Sequence, residues 1–199
     1  KRQVRYISNK SSGKMGFSLA KAAVDESAIV TLISGPVTLK TPERVKRIDI
    51  ESAEEMKEHV TANLSDIDLF ISTAAVADFK MKNAESQKIK KDQSKNMSLS
   101  LEKNEDILKH VSDNNPDLKI VGFAAETENM IDNARKKLSS KNLNLIVAND
   151  VSDSSIGFDS NNNEVTLITE KEELKIPKTS KEKVARKIVQ FISKNILND

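Results

Sequence analysis

The sequence of 199 residues contains no cysteine, and that absence removes disulfide scaffolds, thiolate metal sites and cysteine nucleophiles together. Aromatic residues are also scarce, at 4% with no Trp and one Tyr, so the core has to be built from Ile, Leu, Val and Ala. Neither sign of charge dominates: 32 Lys+Arg stand against 30 Asp+Glu, a net charge of +2. Chains that coat nucleic acid carry a pronounced basic excess, so nucleic acid is not an expected partner. A local cationic pocket for a small phosphorylated molecule is compatible with this balance. No apolar run approaches the roughly 20 residues that span a bilayer, and no charged-then-apolar leader opens the chain. The expectation is a cytoplasmic domain without membrane association. Because the sequence opens on Lys1 and not Met, it reads as a fragment or a processed piece.

What is present is an alternation of short apolar runs with amphipathic stretches, the signature of a mostly parallel sheet with helices on its faces. Residues 1–199 fit one α/β domain, long enough to bury roughly two-thirds of the surface of the unfolded chain. Ser11 and Ser12 read as caps of a helix that buries Phe17, Leu19, Ala20, Ala23 and Val24. Strands are expected over 29–34, 45–50, 67–72, 97–101, 119–125 and 143–148. Ser52 and Glu55 form a capping box ahead of Met56, Val60 and Leu64. Helices are also expected over 106–111 and 129–140. The polar, Lys-rich stretch 80–96 reads as a long lid loop. A hairpin over 164–169 and 173–176 and a closing helix over 181–196, with Val184, Ile188, Phe191 and Ile192 on one stripe, end the chain.

Four constellations can carry chemistry, and each has a plainer reading beside it. Ser8 to Gly16 (SNKSSGKMG) places polar residues and two glycines before and inside a helix start. Backbone N–H groups there bind anions and glycine lets a phosphate approach, although a simple capped helix has the same composition. Its spacing is neither that of a dinucleotide fingerprint nor that of a Walker loop. Ser72 to Asp78 (STAAVAD) puts small residues at the carboxyl end of a strand, where open α/β sheets bind ligands. Close strand-on-helix packing explains the same residues. Lys80, Lys82, Lys88, Lys90 and Lys91 are a solvated surface or a lid that brings cations over a phosphate. Gly122 to Thr127 (GFAAET) ends another strand, and Lys137 and Lys141, at i and i+4, share a helix face that faces solvent or grips a triphosphate.

Six segments in fixed order, SNKSSGKMG, AAVAD, KIKK (88–91), GFAAET, NLNLIVAND (142–150) and GFDSNNN (157–163), make the sequence resemble phosphopantothenoylcysteine synthetase of the bacterial, CTP-dependent type over nearly its whole length. The resemblance implies an α/β, Rossmann-like fold: a mostly parallel sheet flanked by helices, with a Lys-rich lid and a C-terminal hairpin plus helix. It implies a ligase that activates 4′-phosphopantothenate with CTP and Mg²⁺ to an acyl cytidylate, then couples it to L-cysteine. Asn9 matches the residue that contacts the acyl group, and Lys88 the lid lysine of the second half-reaction. Ala74, Ala75 and Asp78 match nucleotide-contacting positions, as do Phe123, Lys137 and Lys141. Glu105, Asp106, Ile107 and Leu108 align with a nucleotide-contacting Pro-Asp-Ile-Val segment, with Glu105 in place of the Pro. Ser11, Ser12, Gly13 and Gly16 fall in the substrate-binding turn. The metal ligands are not assigned. The resemblance further implies a homodimer and, in bacteria, fusion to a flavin-dependent decarboxylase.

The family also places a strand and a Gly-rich turn ahead of Val4 to Asn9, where this sequence has only Lys1, Arg2 and Gln3. An incomplete chain is the expectation. Two other readings of the residues stay open at this point. One is a dinucleotide-dependent oxidoreductase on a similar sheet, whose glycine fingerprint would lie in the missing segment. The other is a nucleotide-binding regulator without turnover.

Overall fold

The computed structural model describes residues 8–9, 11–83, 98–126, 128–150 and 160–198. Along the chain these form α1 (Lys14–Asp25), β1 (Val30–Ser34), β2 (Val45–Asp49), α2 (Ala53–Ala62), β3 (Leu69–Ser72), β4 (Phe79–Met81) and β5 (Leu101–Lys103). They continue with α3 (Ile107–Asn114), β6 (Lys119–Glu126), α4 (Met130–Ser140), β7 (Leu145–Asp150), β8 (Asn162–Ile168), β9 (Glu173–Ser180) and α5 (Lys181–Asn195). The central sheet is five-stranded in the order β3-β6-β7-β8-β9. Its β3, β6 and β7 run parallel, while β8 and β9 return antiparallel as the expected hairpin. Strands β1 and β2 form a parallel pair, and β4 and β5 an antiparallel one.

Alternation along β6 and β7 explains why helices cover both sheet faces. Val121, Leu145 and Val147 point into a cluster with Leu19 and Ala22 of α1 and with Val184, Ile188 and Ile192 of α5. Their neighbours Ile120, Ala124, Ile146 and Ala148 point the other way, into a cluster with Met56 and Val60 of α2, Val111 of α3, and Ala134 and Leu138 of α4. Each fully buried Ile, Leu or Val of these layers contributes about 1.5–3 kcal/mol relative to exposure. The aliphatic core anticipated from the aromatic deficit is therefore split by the sheet into two halves.

Local chemistry sets the helix starts, with one correction. Ser52 Oγ accepts the Glu55 N–H at 3.1 Å, as half of the expected box. The returning Glu55 carboxylate accepts from the Glu51 N–H at 2.7 Å, one residue further out than the box requires. Ser180 caps α5 in the same way through the Lys183 N–H, at 3.4 Å. Helix α1, expected to carry a Ser cap, has Gly13 at that position instead, with φ 72° and no side-chain cap. The left-handed backbone is what calls for glycine there. The Lys-rich loop is shorter than expected at its front, because Lys80 and Met81 belong to β4. Lys80 sits 3.6 Å from Glu102 across the β4–β5 ladder and 3.8 Å from Glu54. Lys88, Lys90 and Lys91 lie outside the described residues.

Candidate functional site

Strand β3 ends at Ser72, and the chain continues through Thr73, Ala74, Ala75, Val76 and Ala77 to Asp78 before β4 begins. Two contacts seat the segment around α1 against this run. The side-chain amide of Asn9 donates to the Val76 carbonyl at 3.2 Å. In the first turn of α1, Gly16 approaches Thr73 so closely that an added Cβ would stand 2.9 Å from its Oγ1. The amides of that turn have no acceptor within the helix, so the strand end and an anion-attracting helix start share one place. Ser11 lies beside this turn, its Oγ 3.5 Å from the Gly13 nitrogen. Lys14 donates to the Asn161 side chain at 2.8 Å, which joins SNKSSGKMG to the described end of GFDSNNN.

A second segment, 104–108, closes on the same run. Asn104 donates through its side-chain amide to the Ala77 carbonyl at 2.7 Å and through its N–H to the Asp78 carbonyl at 2.8 Å. Asp106 caps α3 by accepting the Lys109 N–H at 3.0 Å and pairs with Lys141 at 2.8 Å. Partial burial disfavours its charge, but the Lys141 and Lys109 hydrogen bonds and the nearby lysines outweigh it and hold its carboxyl below the ordinary value. Glu105 accepts from Lys57 of α2 at 2.6 Å and meets His110 Nδ1 at 3.1 Å. The Lys57 hydrogen bond is the main cause that lowers the Glu105 pKa, against a raising effect of burial and with help from His110.

Not every expected residue offers its side chain to this place. Ile107 is buried in the core, 8% exposed. Leu108 packs where a Cβ on Gly122 would come within 3.2 Å of its Cδ2. The aliphatic side chains of this segment are therefore taken up by packing and its carboxylates by ion pairs, which leaves the main chain for contact with a ligand. Phe123 is half-buried against the α1–α5 side of the sheet, opposite the side that holds Ile107 and Leu108. Lys137 does share a face with Lys141 and pairs with Glu126 at 2.5 Å, so both cationic heads already hold a carboxylate that an incoming phosphate would have to displace. Lys88 and Thr127 lie outside the described residues.

Sequence reasoning passed over Asn104, whereas Thr73 and Glu126 lie inside the STAAVAD and GFAAET segments without a role of their own. Asn104 stands directly before the Glu105–Leu108 segment, and an amide at a strand-to-helix corner is a recurring backbone partner, so its position was a usable signal. A groove of about 720 Å³ runs along α1 beside residues 39–44 and the start of α5. Neither Ala74, Ala75, Asp78 nor Asp106 lines it, and its rim mixes Lys21 and Arg44 with Asp25 and Glu182. The contacts at the end of β3 mark the candidate site better than this groove does.

This chain is similar to known proteins over nearly all of its length. The coenzyme A biosynthesis bifunctional protein CoaBC of Vibrio vulnificus is 48% identical over 193 residues, 95% of this chain and 48% of that protein. The Escherichia coli protein of the same name is 44% identical over 194 residues, 95% of this chain and 47% of its own length. The chain thus spans about half the length of the curated relatives it matches. Among solved structures, the C-terminal domain of a coenzyme A biosynthesis bifunctional protein CoaBC superposes with a TM-score of 0.83 at 37% identity, covering 98% of this chain and 89% of that one. Residues 2–196 match the family described as the DNA/pantothenate metabolism flavoprotein C-terminal domain, and the chain belongs to that family.

Proposed function

We propose that this domain is a phosphopantothenate–cysteine ligase acting in coenzyme A biosynthesis, with CTP as the activating nucleotide. The observation that carries the reading is the Asn9–Val76 hydrogen bond, which brings the SNKSSGKMG turn onto the AAVAD strand end. The 44% and 48% identities to proteins named for coenzyme A biosynthesis support it.

A carboxylate is a poor acyl donor, so the first step converts it to a mixed anhydride. A carboxylate oxygen of 4′-phosphopantothenate bonds to the α-phosphorus of CTP, the α–β phosphoanhydride bond breaks, and pyrophosphate leaves. In the second step the amine of L-cysteine bonds to the acyl carbon, the bond to the cytidylate oxygen breaks, CMP leaves, and the amine proton passes to base. Asn9 suits both steps because its amide donates to an acyl oxygen with no change of protonation. Ser11, Ser12, Gly13 and Gly16 form the turn for the substrate phosphate. Ala74 and Ala75 leave room for the nucleotide, and Asp78 accepts hydrogen bonds from it. Lys137 and Lys141 turn from Glu126 and Asp106 to the triphosphate, with Phe123 near the base and Lys88 serving the cysteine step.

Among the described residues no three His, Asp or Glu side chains converge into a metal-binding group. Mg²⁺ would then ride on the triphosphate oxygens and water, where it neutralises charge on the leaving pyrophosphate.

We place the domain in the cytoplasm; no helix among the described residues is long and apolar enough to cross a membrane. The match to about half of bifunctional proteins supports fusion to a decarboxylase partner. Homodimerisation is supported by the β4–β5 ribbon. Phe79 and Leu101 are exposed on one face of it beside Lys103, while the opposite face carries the Lys80–Glu102 pair. A two-stranded ribbon is at best marginally stable alone.

The test is pyrophosphate release with 4′-phosphopantothenate, Mg²⁺ and either CTP or ATP, with and without cysteine. CTP-dependent release that yields the cysteine conjugate is the expected result. No release with either nucleotide, both from this chain and from one carrying the family's preceding strand and Gly-rich turn, would overturn the reading.

A further inference from the structure

Glu105 stands between two helices and is held by both. Its carboxylate takes the Lys57 ammonium of α2 at 2.6 Å on one oxygen and His110 Nδ1 of α3 at 3.1 Å on the other. The next residue, Asp106, caps α3 and pairs at 2.8 Å with Lys141, the residue that ends α4. The preceding residue, Asn104, is bonded to the Ala77 and Asp78 carbonyls. Three successive residues thus tie the α3 start to α2, to α4 and to the end of β3. A carboxylate is also the wrong group to face a triphosphate unless a cation neutralises it, and here Lys57 does so.

We propose that Glu105, Lys57 and His110 are positioning residues: the Glu105 carboxylate does not bind the nucleotide but clamps the 105–108 turn at the height where its main chain and Lys141 meet the triphosphate. This rests on the nucleotide-dependent reading of the site. Neutralisation by Lys57 lets Glu105 sit beside the phosphates without repelling them. The His110 arm, one turn into α3, fixes the angle at which the helix leaves Asp106. Lys57 and His110 act through Glu105, the carboxylate that both hold.

The test is titration calorimetry of Mg²⁺–CTP on the purified chain and its variants, beside steady-state kinetics. Lys57→Ala is expected to raise the CTP dissociation constant about three- to tenfold, the effect of losing a networked surface ion pair with a repulsive carboxylate left behind. In the kinetics, the KM for CTP should rise with it while kcat stays within about twofold, since no reacting atom is touched. The charge swap Lys57→Glu with Glu105→Lys should recover much of the affinity that Lys57→Glu alone loses. Raising the salt concentration should narrow the difference between parent and Lys57→Ala, because exposed pairs are screened. Unchanged affinity in Lys57→Ala, with the parent binding CTP normally, would overturn the clamp and leave the ligase reading standing. A swap no better than Lys57→Glu would overturn it too. A parent chain that binds no nucleotide would overturn both.

Discussion

The Asn9 amide donates to the Val76 carbonyl at 3.2 Å, a contact between residues 67 positions apart that brings the two most informative sequence motifs to the same strand end. Both motifs are individually ambiguous, since small residues at a strand end and glycines at a helix start also serve plain packing. Their meeting is what separates a site from two turns.

Asn9→Ala should reduce synthesis of the cysteine conjugate by roughly 100-fold, the size of losing one aligned donor to a developing negative oxygen. Asn9→Asp should do at least as much harm, because a carboxylate would face the Val76 carbonyl and the acyl oxygen. Neither change should unfold the chain, as Asn9 is exposed. Circular dichroism and product formation measured on the same samples separate the two effects, and wild-type turnover from either variant would remove Asn9 from the mechanism.

Gly122 fills a structural role that its neighbours dictate. A Cβ there would stand 2.8 Å from Leu143 Cδ1 and 3.2 Å from Leu108 Cδ2. Gly122→Ala should therefore cost about 1–3 kcal/mol in a denaturant melt, as expected for overpacking between a strand and the helices above it. Because Leu108 follows Ile107 in the segment that closes on the site, nucleotide affinity should weaken in the same variant. A melt unchanged from the parent would show that Leu143 and Leu108 yield without cost.

The layers of the fold were legible because buried strands and amphipathic helices leave periodic apolar patterns. Ile120 and Val121, adjacent in sequence, enter opposite clusters as a strand requires. The Ser cap of α1 was misread because Ser11 and Ser12 have the favoured composition, whereas the backbone turns left-handed at Gly13, and composition carries no φ. The front of the lid was misread for a different reason: Phe79–Met81 is three residues long, too short for a period, and only its pairing with Leu101–Lys103 makes it a strand. The Lys57–Glu105 and Lys141–Asp106 pairs were not legible at all. Exposed charges have no pattern along the chain, and only the packing of α2 and α4 beside α3 brings them together.

Asp106 gives the site a defined response to acid. Its folded-state pKa lies below the ordinary value of 3.8, so its charge contributes stability that is fully present above that value and is lost as the pH falls through the folded one. Asp106→Asn should lower the melting temperature at neutral pH. The gap from the parent should hold steady as the pH is lowered toward 3.8 and close only below it. Thermal melts of both proteins from pH 7 to pH 2 measure this directly. A gap that closed while the pH was still well above the ordinary carboxylate value would mean that the Lys141 pair does not stabilise the charge.

The β4–β5 ribbon makes the oligomeric state testable. Strand pairing puts Phe79, Met81, Leu101 and Lys103 on one face, and Phe79 is 53% and Leu101 44% exposed. Exposed apolar side chains on a ribbon of this kind are candidates for burial in an interface, and a second copy of the same ribbon has the matching character under two-fold symmetry. The double variant Phe79→Asp with Leu101→Asp should sediment as a monomer where the parent sediments as a dimer, because four carboxylates would then meet at one interface. The fold should survive, since neither side chain belongs to either core cluster. A parent that is already monomeric at working concentration, or a variant that remains dimeric, would assign this face some other role.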